Sequence, residues 1–373
     1  MYKIILIGFL FLSNLMAYSS SKILSKNPCV LYVIPRSLDD PFYQKTYAFL
    51  KEAASDLEVE LHLLELKENH FIAAELVEKK LEKIKKRVDA IITVNVKKSA
   101  HRILKLAERK KIYFFVEDAL IQEKIDGKDK EDFSFYLGEM TPNSFDISYS
   151  LLKKLYESSK VKIREDRKVR MIGLLGPHGT TASSDREIGM RKALSELEGK
   201  IEVLQIVRAD WERDLARAKF SALSKRYNNV DIVWAANDVM ALGVNDYLKA
   251  NPSNFKVRPL ITGVDWVDEA LDRIEKEEIL ASGGGHFMEA AWSLVLIHDF
   301  LKGYDFRKRK KNSFLTNMAI ITKDNLKNYR TFLNQENWHK IDFKRFSKIY
   351  NKSLNTYDFN IEKVFDQLQD LKI

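Results

Sequence analysis

One cysteine, Cys29, stands alone in 373 residues, so no internal disulfide can staple this chain. Proline and glycine are sparse, at 7 and 14 residues, and nothing in the composition suggests bulk disorder. After the N-terminal segment, no stretch is apolar over the roughly 20 residues that a membrane span requires. Enzyme signatures are missing as well. Gly173, Gly176 and Gly179 do not make a phosphate-cradling loop, because no Gly-Lys-Ser/Thr follows them. No Gly-x-Ser-x-Gly elbow exists. His286-Phe287-Met288-Glu289 offers one imidazole and one carboxylate, too few for a closed metal site. The expectation is a non-catalytic protein with no cofactor and no metal.

What is present is a chain that is 45% hydrophobic and 31% charged, enough to bury real cores and remain in solution. The formal net charge of +9 fits an anionic partner or a lysine-rich solvated surface. Opposite signs are interspersed along helices, which favours the solvated surface. Lys3, the run Ile4–Leu12 and then Leu15-Met16-Ala17 have the form of a secretory signal peptide over residues 1–17. Export without disulfides fits a bacterial periplasm, and an exported chain disfavours a nucleic-acid role. Cys29 follows Lys26-Asn27-Pro28, too far from the apolar run for lipid attachment, and reads as a small apolar residue opening the first strand.

Strands and helices alternate, which predicts parallel α/β layers. The uninterrupted run Val30–Ile34 is that of a strand covered on both faces. Further strands are expected at 61–66, 90–94, 112–116 and 135–138. The pattern then restarts, with strands at 169–176, 203–207, 232–235, 260–264 and 279–282. Helices lie between them, one of them expected over 184–197 with Ser184–Glu187 as a capping box. One chain thus holds two doubly wound halves. In such sheets ligands sit beyond the carboxyl ends of the strands, so the residues just after each strand carry the interest.

Asp40, Phe42 and Tyr43 follow the first strand. The two rings can stack on an apolar ring face beside a carboxylate, or simply be buried in a capped helix. Arg186 offers fixed donors to ligand oxygens, or is an exposed helix charge. Trp211, after Asp210, is a second stacking wall or a core residue. Asn237-Asp238 and Asp265-Trp266 end two strands and present amide and carboxylate groups suited to hydroxyl recognition, or cap the next helices. Gly283-Gly284-Gly285 permits close backbone approach, and His286 after it is a ligand contact or a structural histidine.

The order of these motifs resembles the type I periplasmic binding proteins, which include ribose- and galactose-binding proteins. The matching pieces are Asp40–Tyr43, Tyr136-Leu137-Gly138-Glu139, Arg186 with Gly189, Trp234–Gly243 and Gly263–Trp266, covering roughly residues 29–321. The resemblance implies two lobes joined by three crossovers that close on ligand by hinge bending. It places the first lobe at 28–139 plus 284–312 and the second at 140–283 plus 313–323, with residues 324–373 as a mainly helical extension on a lobe. By the same resemblance Phe42 and Tyr43 stack on the ligand, and Arg186, Asn237 and Asp265 hydrogen-bond it. Glu139 and Thr141 lie near the first crossover, and Asp40, Trp211, Trp266 and His286 complete the set. The chain is also similar to furanosyl autoinducer receptors, which feed membrane sensor kinases. A second arginine near His286 would mark that class, and Gly-Gly-Gly-His-Phe-Met stands there instead. The partners implied are a small sugar-like ligand and a membrane ABC permease or sensor kinase, for a monomer. The rival of another class is the effector domain of a lactose-type transcription repressor, which needs a helix-turn-helix where this chain has an apolar segment. An enzyme on this fold is the third reading.

Overall fold

The computed structural model describes residues 27–160, 167–227, 229–309 and 312–369. The expected signal peptide and most of the charged stretch at 160–168 lie outside these. Among the described residues no helix is long and apolar enough to cross a membrane.

The first half runs β1 (Cys29–Ile34), α1 (Pro41–Asp56), β2 (Glu60–Glu65), α2 (Ala73–Lys83), β3 (Ala90–Val94), α3 (Ser99–Lys110), β4 (Tyr113–Glu117) and β5 (Tyr136–Pro142). The second runs α4 (Ser144–Lys160), β6 (Val169–Leu175), α5 (Thr181–Glu196), β7 (Ile201–Arg208), α6 (Arg213–Arg226), β8 (Ile232–Ala235), α7 (Asp238–Ala250), β9 (Leu260–Val264), α8 (Asp268–Glu275) and β10 (Ala281–Gly284). The chain then returns through α9 (Glu289–Leu301) and β11 (Ser313–Thr316), crosses again to β12 (Ala319–Thr322), and ends in α10 (Lys323–Leu333) and α11 (Ile361–Gln369).

Two six-stranded sheets result, ordered β11-β5-β4-β3-β1-β2 and β12-β10-β9-β8-β6-β7. All pairings are parallel except β10 with β12. In β1 the two-residue alternation sends Val30, Tyr32 and Ile34 to one core and Cys29, Leu31 and Val33 to the other, because helices cover both faces.

Several boundaries differ from the sequence expectation. β5 continues to Pro142, and β11 pairs with it (Ser313 beside Glu139), so residues 140–142 and 313–316 belong to the first sheet. The segment 313–323, expected to belong wholly to the second lobe, holds two strands, broken at Asn317-Met318 where the chain changes sheet. Helix α5 starts earlier than Ser184. Thr180 is its cap, accepting from the Ser183 amide, so Ser184–Glu187 is no capping box. Glu187 instead pairs with Arg191 and Arg208.

The extension touches both lobes. Tyr329 of α10 lies edge-on to Trp266 (5.3 Å), while Trp338 and Phe343 pack on Phe49 of α1. Asp299 of α9, fully buried, accepts from the Lys348 amide (2.6 Å), the Tyr357 hydroxyl (2.9 Å) and the Ser347 hydroxyl. A buried carboxylate with three donors is a strong local anchor.

The candidate ligand cleft

The carboxyl ends of both sheets face each other across a cleft of about 540 Å³. Of the residues singled out in the sequence, Asp40, Phe42, Tyr43, Arg186, Trp211, Asn237, Asp265 and His286 line it.

Asp40 is the N-cap of α1: its Oδ1 accepts from the amides of Phe42 (2.9 Å) and Tyr43 (3.4 Å). The capped-helix reading holds, and the capped segment also lines the cleft. Burial raises the Asp40 carboxyl above its ordinary range, against the pull of Arg36. The cap turns Phe42 inward, where its ring stacks on His286 (4.6 Å between centroids, 26° between planes). Tyr43 meets Phe42 edge-on at 5.2 Å.

Arg186 is 3% exposed and organises the opposite wall. Its Nη1 donates to the Ala236 carbonyl (2.8 Å) and to Asp265 Oδ1 (3.3 Å). Its guanidinium lies over the Trp211 ring, 5.4 Å from the centroid. Nη2 points at His286 Nε2 (3.2 Å). His286 Nε2 also lies 3.4 Å from Asp265 Oδ1, and the other ring nitrogen is Nδ1. That Nδ1, Arg186 Nε and Asp118 Oδ1 are buried and have no hydrogen-bond partner among the described residues. Buried polar groups are nearly always satisfied, so these three call for an outside partner.

Backbone shape aims the side chains. Asp210, Trp211, Asp265 and Trp266 all have positive φ, at 53°, 65°, 126° and 56°. The strand ends thus turn sharply instead of running straight into helices. Gly176 lets the Trp211 ring lie against the main chain, since a Cβ there would fall 2.1 Å from it. Asn237 caps α7, its Oδ1 accepting from the Met240 amide at 2.9 Å. Asp238 lies below, buried, held by Ser282 and the Val267 amide. Burial and the neighbouring Asp265 push its carboxyl up to about 7. Of its two readings, the structure gives it a supporting position beneath the cleft.

Three expected residues lie outside the lining. Glu139 sits mid-strand and accepts from Lys130 Nζ (2.5 Å) and the Tyr136 hydroxyl (3.0 Å). Thr141 is also inside β5, its hydroxyl toward the Asp118 carbonyl (3.5 Å). Trp266 turns away from the cleft: its indole donates to the Ser282 carbonyl (3.0 Å), and Gly284 makes room for the ring. The lining residues given no role in the sequence include Arg36 after β1 and Asp118 after β4. The strand-end rule reaches both. Burial raises the Asp118 carboxyl, with Arg186 opposing and Asp265 adding. Arg36 crosses the cleft to Glu212 (2.6 Å) and the Asp210 carbonyl (3.3 Å). Behind it, buried Lys45 donates to the Trp266 carbonyl (2.6 Å) and Asp268 (2.5 Å) of the other lobe.

Comparison with known proteins agrees with this geometry. The D-galactose/methyl-galactoside binding periplasmic protein of Haemophilus influenzae is 29% identical over 152 residues, 39% of this chain and 44% of that protein. The match thus spans less than half of the curated relative. A periplasmic sugar-binding protein from Pseudomonas fluorescens superposes with a TM-score of 0.78 at 23% identity, over 90% of this chain and 99% of that one. The arabinose ABC transporter binding protein of Shewanella sp. ANA-3, bound to L-arabinofuranose, gives 0.70 at 18% identity, over 83% and 96%. The family model for the periplasmic binding protein domain matches residues 31–304. With two doubly wound lobes and three crossovers around the cleft, the chain belongs to the periplasmic binding protein family.

Proposed function

We propose that this chain is an exported, periplasmic solute-binding protein that closes its two lobes on a hydroxylated, sugar-like molecule and passes it to an ABC permease. One observation carries the reading: buried donor and acceptor atoms without partners among the described residues gather on Arg186, Asp118 and His286 beside the aromatic faces of Phe42 and Trp211. Arg186 is already neutralised by Asp265, which suits a ligand without net charge. Hydroxyl groups supply both the acceptor that Arg186 Nε requires and the donor that Asp118 Oδ1 requires. The sugar-binding relatives support the same ligand class. In this reading Asp40, Phe42, Tyr43, Arg186, Trp211, Asn237, Asp265 and His286 contact the ligand.

Thermal unfolding with a panel of sugars and polyols tests the proposal. A ligand at a hundredfold excess over Kd adds about 2.7 kcal/mol of stability and raises Tm. Stabilisation by amino acids or nucleosides, with none by sugars, would overturn the ligand class. Binding of the closed, liganded protein to a membrane kinase in place of a permease would overturn the delivery step alone.

A further inference from the structure

The outer edge of the first sheet holds a second constellation, far from the chemistry of the cleft. β2 is the terminal strand of that sheet and runs parallel to β1, with Cys29 beside Glu60 and Leu31 beside His62. Side chains alternate along a strand, so Glu60 and His62 share a face. In-register pairing brings Cys29 to the same face. A thiol, a carboxylate and an imidazole thereby converge, their donor atoms all within 4.8 Å of one another.

We propose that Cys29, Glu60 and His62 form a binding site for a divalent cation of the Zn²⁺ type, with water completing the coordination. One soft sulfur, one imidazole and one carboxylate form a donor set suited to zinc and its neighbours and not to magnesium or calcium. Metal–donor distances of about 2.0–2.3 Å in a tetrahedron place donors roughly 3.3–3.7 Å apart, so no pair needs to close by more than about 1.5 Å, while His62 Nε2 and Glu60 Oε1 must open slightly. Glu60 is exposed and His62 half-buried, so both side chains are free to do this. His62 Nε2 already lies 2.8 Å from Glu60 Oε1. Asp89 Oδ2 accepts from the Cys29 amide (2.9 Å) and holds the thiol-bearing residue in place.

Two features set the conditions for binding. Lys86 Nζ lies 3.5 Å from Glu60 Oε2 and also donates to the Asn27 carbonyl (2.5 Å), so a cation must displace it from the carboxylate. Burial, then the charges of Glu60 and Asp89, push the Cys29 thiol up to about 11. A cysteine binds such a cation as its thiolate, so binding releases the thiol proton.

Titration of the tag-free protein with Co²⁺ reads the site directly. The expected result is a thiolate-to-cobalt charge-transfer band that saturates at one equivalent and disappears when Zn²⁺ is added. Cys29→Ser abolishes the band, His62→Ala weakens Co²⁺ binding at least tenfold, and Lys86→Met tightens it a few-fold. Sugar binding stays unchanged in all three, which separates this site from the cleft. His62 is on an edge strand, so its variant remains informative if Cys29→Ser folds poorly. No charge-transfer band in the wild-type protein, or a band that survives both Cys29→Ser and His62→Ala, overturns the proposal.

Discussion

The two walls of the cleft are built from the same strand-end turns, yet they hold their polar groups in different ways. On the first-lobe wall, Asp40 and Asp118 face the cleft with Glu117 behind them, and burial raises all three carboxyls. On the second-lobe wall, Asp265 is paired with Arg186, whose guanidinium is also fixed by the Ala236 carbonyl and Trp211. The first wall thus presents buried carboxyls, the second a preorganised ion pair. Under the proposed function, a ligand would gain direction from the second wall and shape from the aromatic pair of the first.

The largest test of that division is Arg186→Ala. It removes the donor fork and leaves Asp265 buried beside His286 (3.4 Å) without its cation. Sugar affinity measured by calorimetry should fall at least a hundredfold, roughly 3 kcal/mol. An unchanged Kd would move recognition to the first wall. Asp265→Asn keeps the shape and removes the charge, and should cost about tenfold, near 1.4 kcal/mol, with the circular dichroism spectrum unchanged.

The first wall is read by pH. Burial, with the neighbouring Asp118 charge adding, raises the Glu117 carboxyl to about 8 from an ordinary 4.5. The folded protein then holds a proton that the unfolded chain releases between those values. Stability contributed by this proton is full below about 4.5 and is lost as pH rises toward 8, by at most about 1.4 kcal/mol per pH unit. Glu117→Gln keeps an acceptor for the Tyr32 hydroxyl (2.9 Å in the native chain). It should raise Tm at pH 8 by the equivalent of about 1 kcal/mol and flatten the pH profile between 5 and 8. The smallest effect belongs to Arg36→Ala, which cuts a half-exposed bridge to Glu212 across the cleft mouth. Ligand dissociation in stopped flow should quicken only two- to threefold, as expected of a bridge worth under about 1 kcal/mol.

Much of this was legible in the sequence. Apolar runs such as Val30–Ile34 announce strands covered on both faces, and the residues following them supplied eight of the cleft's side chains. Phe42 and Asn237 were legible because helix caps and strand ends are local features. The remainder depended on backbone details without a local signal. Glu139 and Thr141 fell outside because β5 runs on to Pro142, a length set by its pairing with β11 far along the chain. Trp266 fell outside because two successive left-handed residues rotate its ring onto Ser282 and the extension. The extension's contacts with both lobes arise from tertiary packing of aromatics such as Trp338 and Phe343, which periodicity does not encode.

Calorimetric titration of the purified protein with neutral pentoses, hexoses and polyols is the decisive measurement of ligand recognition in the cleft. At least one of them should bind one-to-one, and that binding should be lost in Arg186→Ala. Binding of a charged amino acid or a nucleoside, with every sugar silent, would contradict it.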